Sequence, residues 1–264
     1  MHIKHMSIIF FGKNLLRLDR LEVMRNIVAN KNVILTVTYN QLPSLELFLN
    51  NLLIIIENRP DIEMVIMDSG SDKETVAYLK TVKLPNVEII FHKANLGKAK
   101  AVNSFCKEKV TQNNLPKTIV SIDPDILIKE QDLDYLIEAT VNLEKIGMLS
   151  MRYLKNGFAP EQNIWFPPIS KKGKNNKKYK LRVPFLCNVA GGVFAIKGEQ
   201  FINQLDHIFY PIKYTAAYGP DDAMLSDKFK RMGYTNAYLE GTSALHLRSA
   251  DRKAKELIEH EKEK

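Results

Sequence analysis

The sequence predicts an α/β fold: a mostly parallel central sheet flanked by helices, built as a single compact domain. Three observations carry that expectation. Short β-rich segments alternate with helix-like ones from Asn32 onward. The β-rich segments are apolar on both faces, as strands covered by helices on either side must be. No Gly/Ser/Pro-rich linker divides the 264 residues, a length that one large core can organise.

NVILTVT (32–38) reads as the first strand and ends at the turn-prone YNQLP. Pro43 suits the first turn of a helix running to about Asn58, because its missing N–H would be unpaired there anyway. EMVIMD (63–68) is the second strand, and Ser71 or Asp72 of the following SGSD can cap the helix containing TVAYLK. NVEIIFH (86–92) is the third strand, and NLGKAKAVNSFCKEK (95–109) is a loop entering a helix. TIVSID (118–123) is the fourth, followed by a helix around Asp132 to Leu143, and GMLSMRY (147–153) is the fifth. Later, SAL before His246 looks like a short strand, and DRKAKELIEHEKEK like a charged surface helix.

In such sheets ligands bind beyond the carboxyl ends of the strands. Thr38-Tyr39-Asn40, Asp68-Ser69-Gly70, Asn95-Leu96-Gly97-Lys98 and Asp123-Pro124-Asp125 all fall there. The last is the most pointed, because two carboxylates at close quarters repel unless a positive charge sits between them or one is protonated.

The net charge of +8 is local. KKGKNNKKYKLR, Lys171 to Arg182, holds seven basic residues and no acidic one, and without it the balance is +1. Such a run is either a solvated, partly disordered loop or a clamp for an anion such as a phosphate, a lipid head group or nucleic acid. The longest wholly apolar run, Leu52 to Ile56, is too short to span a bilayer. Two cysteines, Cys106 and Cys187, make no disulfide framework, and no leader opens the sequence. A cytoplasmic protein is expected, with peripheral contact at the inner face of the membrane compatible with the basic run.

Six segments in order resemble the family 2 glycosyltransferases with a GT-A, Rossmann-like fold. VTYNQ looks like that family's first-strand signature, and VIMDSGSD is similar to its second-strand pattern. NLGKAKAVN matches its N-x-G-x-x-x-A-x-N segment. SIDPD takes the place of the D-x-D motif, AGGVFAIKGEQF that of the acceptor-side Gly-Gly segment, and GPDDAMLSDKFKRMGY that of the E-D segment. The resemblance implies a donor-binding half over 32–153 and an acceptor-binding, catalytic half over 154–249 that contains the basic run. Residues 1–31 would form an N-terminal extension and 250–264 the charged C-terminal helix.

The resemblance also assigns roles. Asp125 would ligate Mn²⁺ or Mg²⁺, Asp123 would face the ribose or a metal-bound water, and His246 would complete the metal site. Asp68 would accept from uracil, Thr38 and Tyr39 would contact the base, Asn95 and Gly97 would belong to the donor site, and Lys98 could reach a phosphate. Gly191 and Gly192 would allow close approach of the sugar, and Trp165 would stack on an acceptor. Asp222 would be the base of an inverting transfer, with Asp221 in place of the family's usual glutamate. Structural alternatives stand beside these roles: an Asx turn at Asp68, a helix N-cap pair at Asp221 and Asp222, and a core tryptophan. The family's processive members carry Q-x-x-R-W and membrane helices, and without that motif a single sugar per encounter is expected from a UDP-sugar. The acceptor would be anionic: a polymer, a lipid-linked phosphate or DNA.

Two competing readings exist. An aspartyl-phosphate phosphohydrolase also uses D-x-D, but normally after the first strand of its domain. A non-catalytic nucleotide or nucleic-acid binder would not need Asp123, Asp125 and Asp222 together. A dinucleotide-dependent oxidoreductase would need G-x-G-x-x-G after a strand, which is absent.

Overall fold

The computed structural model describes residues 30–153, 167–184, 188–206, 208–210 and 221–247. The expectations for 1–29, for Trp165 and Cys187, and for the segment 250–264 lie outside the described residues.

Three βα units open the fold: β1 (Asn32–Thr38), α1 (Leu42–Ile56), β2 (Ile62–Asp68), α2 (Lys73–Leu79), β3 (Val87–Phe91) and α3 (Gly97–Lys109). Then come β4 (Thr118–Ile122), β5 (Ile126–Ile128), α4 (Glu130–Asn142), β6 (Ile146–Tyr153) and the hairpin β7 (Ile169–Lys172) and β8 (Lys178–Arg182). The chain continues with β9 (Val193–Lys197), α5 (Gly198–Asn203), α6 (Asp221–Arg231) and β10 (Thr235–His246). The strands lie in the order β3-β2-β1-β4-β9-β6-β10-β8-β7, with β5 paired to β10. β1 to β4 are parallel, β9 runs antiparallel between β4 and β6, and β10 returns parallel to β6.

The order explains where a ligand can enter. From β1 the chain builds outward to β2 and β3, then crosses back to place β4 on the other side. The connections on either side of β1 therefore diverge and leave a crevice at its carboxyl end. Because successive strand residues point to opposite faces, β1 feeds two cores. Ile34 packs with Phe48, Leu52 and Leu136 on one side, while Val33 and Leu35 pack with Val102, Phe105, Phe201 and Phe229 on the other. In α1 the buried positions Leu45, Phe48, Leu49, Leu52, Ile55 and Ile56 follow a helical period. Pro43 lies in the first turn of this helix, and Gln41 before it is left-handed, with φ 60°. Of the two candidate caps for α2, Asp72 is the one used, its carboxylate accepting from Thr75 N at 2.8 Å.

Three expectations are corrected. β5 was not foreseen, since three residues carry no readable period. The short strand before His246 is the end of the twelve-residue β10, whose register shifts between Leu239 and Ala244. The basic run is an ordered hairpin, not a disordered loop. Tyr179 and Leu181 on β8 are buried, and Tyr179 stacks on Tyr135 of α4 at 5.8 Å between centroids. Glu138 of α4 accepts from Lys177 Nζ at 2.7 Å and from the Tyr179 hydroxyl at 3.1 Å. Arg182 pairs with Glu240, which also meets Arg152 at 3.3 Å. The seven positive charges mask a period-two pattern of alternating Lys and apolar residues along β8.

Burial in α1 sets a clear contrast in stability. Leu52→Ala should lower the free energy of unfolding by about 2–5 kcal/mol, because a fully buried side chain leaves a cavity. Ile54→Ala, two residues along and 76% exposed, should change it by less than about 0.5 kcal/mol. Urea denaturation of both variants checks this.

Candidate active site

At the carboxyl end of β1 the chain turns through two left-handed residues, Asn40 (φ 55°) and Gln41. Asn40 ties this turn to the exit of β2: its N–H donates to Ser71 Oγ at 2.8 Å, and its side-chain oxygen accepts from Asp72 N at 2.9 Å. Asp68, at the end of β2 and in register with Thr38, is buried and accepts from Ser71 N at 3.3 Å through both oxygens. That is the Asx-type turn expected as its alternative role. Thr38 is 1% exposed, and its Oγ1 has no hydrogen-bond partner among the described residues. A buried hydroxyl without a partner costs free energy unless a ligand supplies one. Tyr39 beside it presents a half-exposed ring.

Ser69 closes the next turn. Its hydroxyl accepts from Leu96 N at 2.8 Å and Gly97 N at 3.1 Å, and donates to Asn95 Oδ1 at 3.1 Å. Asn95 Oδ1 also accepts from Gly97 N at 2.9 Å. Asn95 and Gly97, expected in the donor site, here fasten the start of α3 to the end of β2. Gly97 is left-handed (φ 71°), a conformation that glycine adopts without cost. Later in α3, Asn103 clamps the backbone of Tyr210: its Nδ2 donates to Tyr210 O at 2.7 Å and its Oδ1 accepts from Tyr210 N at 2.8 Å.

Lys98 lies at the centre of the site. Its Nζ is 2.5 Å from Asp123 Oδ1 and 3.3 Å from Gly191 O, and it sits over the Tyr210 ring at 5.6 Å from the centroid. Burial works against its charge, but Asp123, Tyr210 and Asp222 outweigh burial and hold its pKa well above the ordinary lysine value. Lys98 is therefore an ammonium throughout the working pH range. Asp123 is pushed up by burial, pulled down by Lys98, and pushed up again by Asp125 and Asp222.

Asp125 and His246 meet across the β5–β10 pairing, with His246 Nε2 at 3.2 Å from Asp125 Oδ2. The Asp125 carbonyl accepts from Leu247 N at 2.7 Å, which fixes the two segments together. A carboxylate oxygen and an imidazole suit Mn²⁺, and a carboxylate with diphosphate oxygens suits Mg²⁺. The expected trio does not gather: Asp123 is ion-paired to Lys98, and among the described residues no three His, Cys, Asp or Glu side chains form a metal-holding group. The protein thus offers a pair of ligands that a substrate's oxygens could complete.

Asp221 and Asp222 open α6, where carboxylates favour the positive end of the helix dipole. Asp222 Oδ1 accepts from Ala223 N at 3.0 Å. Its side chain packs directly on Gly191, where an added Cβ would come within 2.2 Å of Asp222 Cβ. At Gly192 an added Cβ would come within 2.3 Å of the Tyr153 hydroxyl. The two glycines are therefore required by neighbours on either side. Asp221 is pushed up by burial, opposed by Lys98, with Asp222 and Asp123 adding to the rise.

Sequence reasoning missed Tyr153, Tyr210 and Asn103, and placed Ser69 at the end of a strand without giving it a role. Tyr153 ends β6 with its ring 6.0 Å from that of His246, and Tyr210 donates to or accepts from Ser121 Oγ at 3.2 Å. Ser69 and Asn103 lay inside quoted motifs and could have been read as turn and clamp residues. Nothing in their neighbourhoods marks the two tyrosines.

Comparison with known proteins agrees with this arrangement. The family model described as glycosyl transferase family 2 matches residues 33–197, more than half of the chain. No curated protein matches the chain in sequence. Among solved structures, the mannosyltransferase PcManGT of Pyrobaculum calidifontis, bound to GDP-Man and Mn²⁺, superposes with a TM-score of 0.57 at 20% identity, covering 88% of this chain and 62% of its own. TarS 1–349 of S. aureus superposes with a TM-score of 0.57 at 15% identity, covering 82% of this chain and 60% of its own. GalNAc-T7 with UDP, GalNAc and Mn²⁺ gives 0.58 at 15% identity, covering 84% and 44%. The chain thus spans about three fifths of the length of the first two. It shares their mixed α/β GT-A architecture, and the chain belongs to glycosyl transferase family 2.

Proposed function

We propose that this protein transfers a single sugar, with inversion, from a UDP-sugar to a hydroxyl of an anionic acceptor, using Mn²⁺ or Mg²⁺. The observation that carries the reading is the contact of Asp222 with Gly191, whose carbonyl in turn meets Lys98 on Asp123. It joins the donor-side carboxylate to a carboxylate on the acceptor side through one glycine.

Donor choice rests on Thr38 and Asp68. A buried hydroxyl without a partner and a buried carboxylate, side by side at the end of β1 and β2, can meet the donor and acceptor edge of uracil. TarS has been solved with UDP and with UDP-GlcNAc, and GalNAc-T7 with UDP. PcManGT holds GDP-Man, so the fold admits either base. Asp125 and His246 would hold the cation, which when bound offsets the charge of the departing diphosphate. Asp222 takes the proton from the acceptor hydroxyl. As it does so, the oxygen bonds to the anomeric carbon and the bond from that carbon to the diphosphate oxygen breaks. Gly191 and Gly192 let Asp222 and Tyr153 close in on the backbone beside the site, which brings the base next to Lys98 and Asp123.

The acceptor reading rests on the hairpin. Lys172, Lys178 and Lys180 are exposed, and none of their ammonium groups has a hydrogen-bond or ion-pair partner among the described residues. Lys172 and Lys178 stand directly opposite each other, and Lys180 follows on the same face by the two-residue period. Like charges in that register destabilise a hairpin, so an anionic partner, whether polymer, lipid-linked phosphate or DNA, is what the face would gain from. A membrane-peripheral location would follow from the lipid-linked case. Among the described residues no helix is long and apolar enough to cross a membrane.

A panel of UDP-sugars with Mn²⁺ tests the activity. Asp222→Asn should cut turnover by about 10²–10⁴-fold while UDP affinity stays within a few-fold of wild type, and substantial residual transfer would remove Asp222 as the base. Replacing Lys172, Lys178 and Lys180 together by Gln should raise the acceptor KM and flatten its dependence on salt, with thermal stability unchanged or higher. Asp221→Asn should raise the thermal midpoint at neutral pH. A carboxyl whose folded pKa lies above its unfolded 3.8 destabilises the fold once ionised. The gain should therefore appear as pH rises above about 4 and vanish below it; a pH series of melting curves reads it.

A further inference from the structure

We infer that Lys98 is an exchangeable counter-ion, which occupies Asp123 in the free protein and leaves it for the diphosphate of the donor, so that cation binding depends on nucleotide binding. The inference rests on the donor reading above and adds to it an order of events controlled by one side chain.

Three features of Lys98 support the exchange. Its ammonium is in the first turn of α3, the positive end of a thirteen-residue helix, where a cation is disfavoured unless an anion meets it. Asp123 is the anion that does so here, at 2.5 Å. A diphosphate at the same place would be attracted by both the ammonium and the helix end, whereas Asp123 must share Lys98 with the repulsion of Asp125 and Asp222. The side chain is a quarter exposed and Asp123 a third exposed, so the pair, though packed closely enough for burial to act on both charges, is not sealed from solvent. The second contact of Lys98, to Gly191 O at 3.3 Å, is long and easily given up.

The consequence for the cation follows from the donor set. With Lys98 in place, Asp125 and His246 are the ligands that meet, and two protein ligands hold a hard divalent ion weakly. When Lys98 turns to a diphosphate, Asp123 loses its counter-charge next to Asp125, and the site gains both a free carboxylate and phosphate oxygens. Nucleotide and cation must then strengthen each other equally, since linkage is reciprocal. The basic residue that helps the nucleotide hinders the cation in its absence, and that opposition of sign is what a merely structural lysine would not produce.

Calorimetric titration of wild type, Lys98→Gln and Lys98→Arg with Mn²⁺ alone, and with UDP in the presence and absence of Mn²⁺, tests this. In the wild type UDP should tighten Mn²⁺ binding by about tenfold or more. Lys98→Gln should bind Mn²⁺ alone several-fold more tightly than wild type and UDP more weakly, with the mutual enhancement reduced. Lys98→Arg, which keeps the charge, should follow the wild type with Mn²⁺ alone. An unchanged or weaker Mn²⁺ affinity in Lys98→Gln, with UDP binding intact in the wild type, overturns the exchange and leaves the donor reading standing. A wild type whose Mn²⁺ affinity is indifferent to UDP overturns it without any variant. A wild type that binds no UDP with Mn²⁺ overturns the donor reading and this inference together.

Discussion

Repulsion among carboxylates is the constraint around which this site is organised. Asp123 lies within the field of both Asp125 and Asp222, and Asp221 within that of Asp222 and Asp123. Such a cluster is tolerated in a fold only if cations or protons divide it. Lys98 supplies one charge from within the chain, and Asp125 meets the His246 imidazole at 3.2 Å. The strand that delivers Asp123 is buried along its whole length, so its carboxylate emerges at a fixed point. A charge so placed costs stability in the free protein, a cost that the proposed cation and diphosphate would offset.

The scaffold holds that cluster open by means that carry no charge. Ser69 and Asn95 satisfy the first N–H groups of α3, so Lys98 starts from a fastened helix end. Asn103 holds the backbone of Tyr210, and the Tyr210 ring lies against the Lys98 ammonium. Gly191 and Gly192 give up their side-chain volume to Asp222 and Tyr153. Except for Asn95 with Gly97, two residues apart, each of these contacts joins parts of the chain far apart in sequence. The site is therefore as rigid as the sheet that brings those parts together.

The far edge of the sheet shows the same division between anchoring and exposure. Tyr179 and Leu181 bury one face of the hairpin against the α4 side, and Lys177 and Arg182 are neutralised by Glu138 and Glu240. The ammonium groups of three lysines on the opposite face are left without partners among the described residues. Lys172 lies on the edge strand β7, where a lysine discourages pairing with another sheet.

Much of the fold was legible because its signals are local. Apolar runs bounded by turn residues marked β1 to β4 and β6, and the period of apolar positions marked α1. Asp68, Asp123, Asp125 and Asp222 stood out because a carboxylate directly after an apolar strand, or paired at the start of a helix, is visible in one dimension. What stayed hidden depended on contacts across the chain. The tyrosines at 153 and 210 look like core residues until folding sets one over Gly192 and the other under Lys98. The basic run was read as either a loop or an anion clamp, not as a hairpin, because its net charge was read before its two-residue period. By itself the sequence determined β1 to β4, β6, the helices α1 to α4 and the residues that end them, since each is set by the properties of neighbouring side chains. Only the tertiary structure decided that Lys98 would face Asp123, that His246 would join Asp125, and that Asp222 would rest on Gly191. Those pairings follow from the order in which strands assemble in the sheet, which no local pattern encodes.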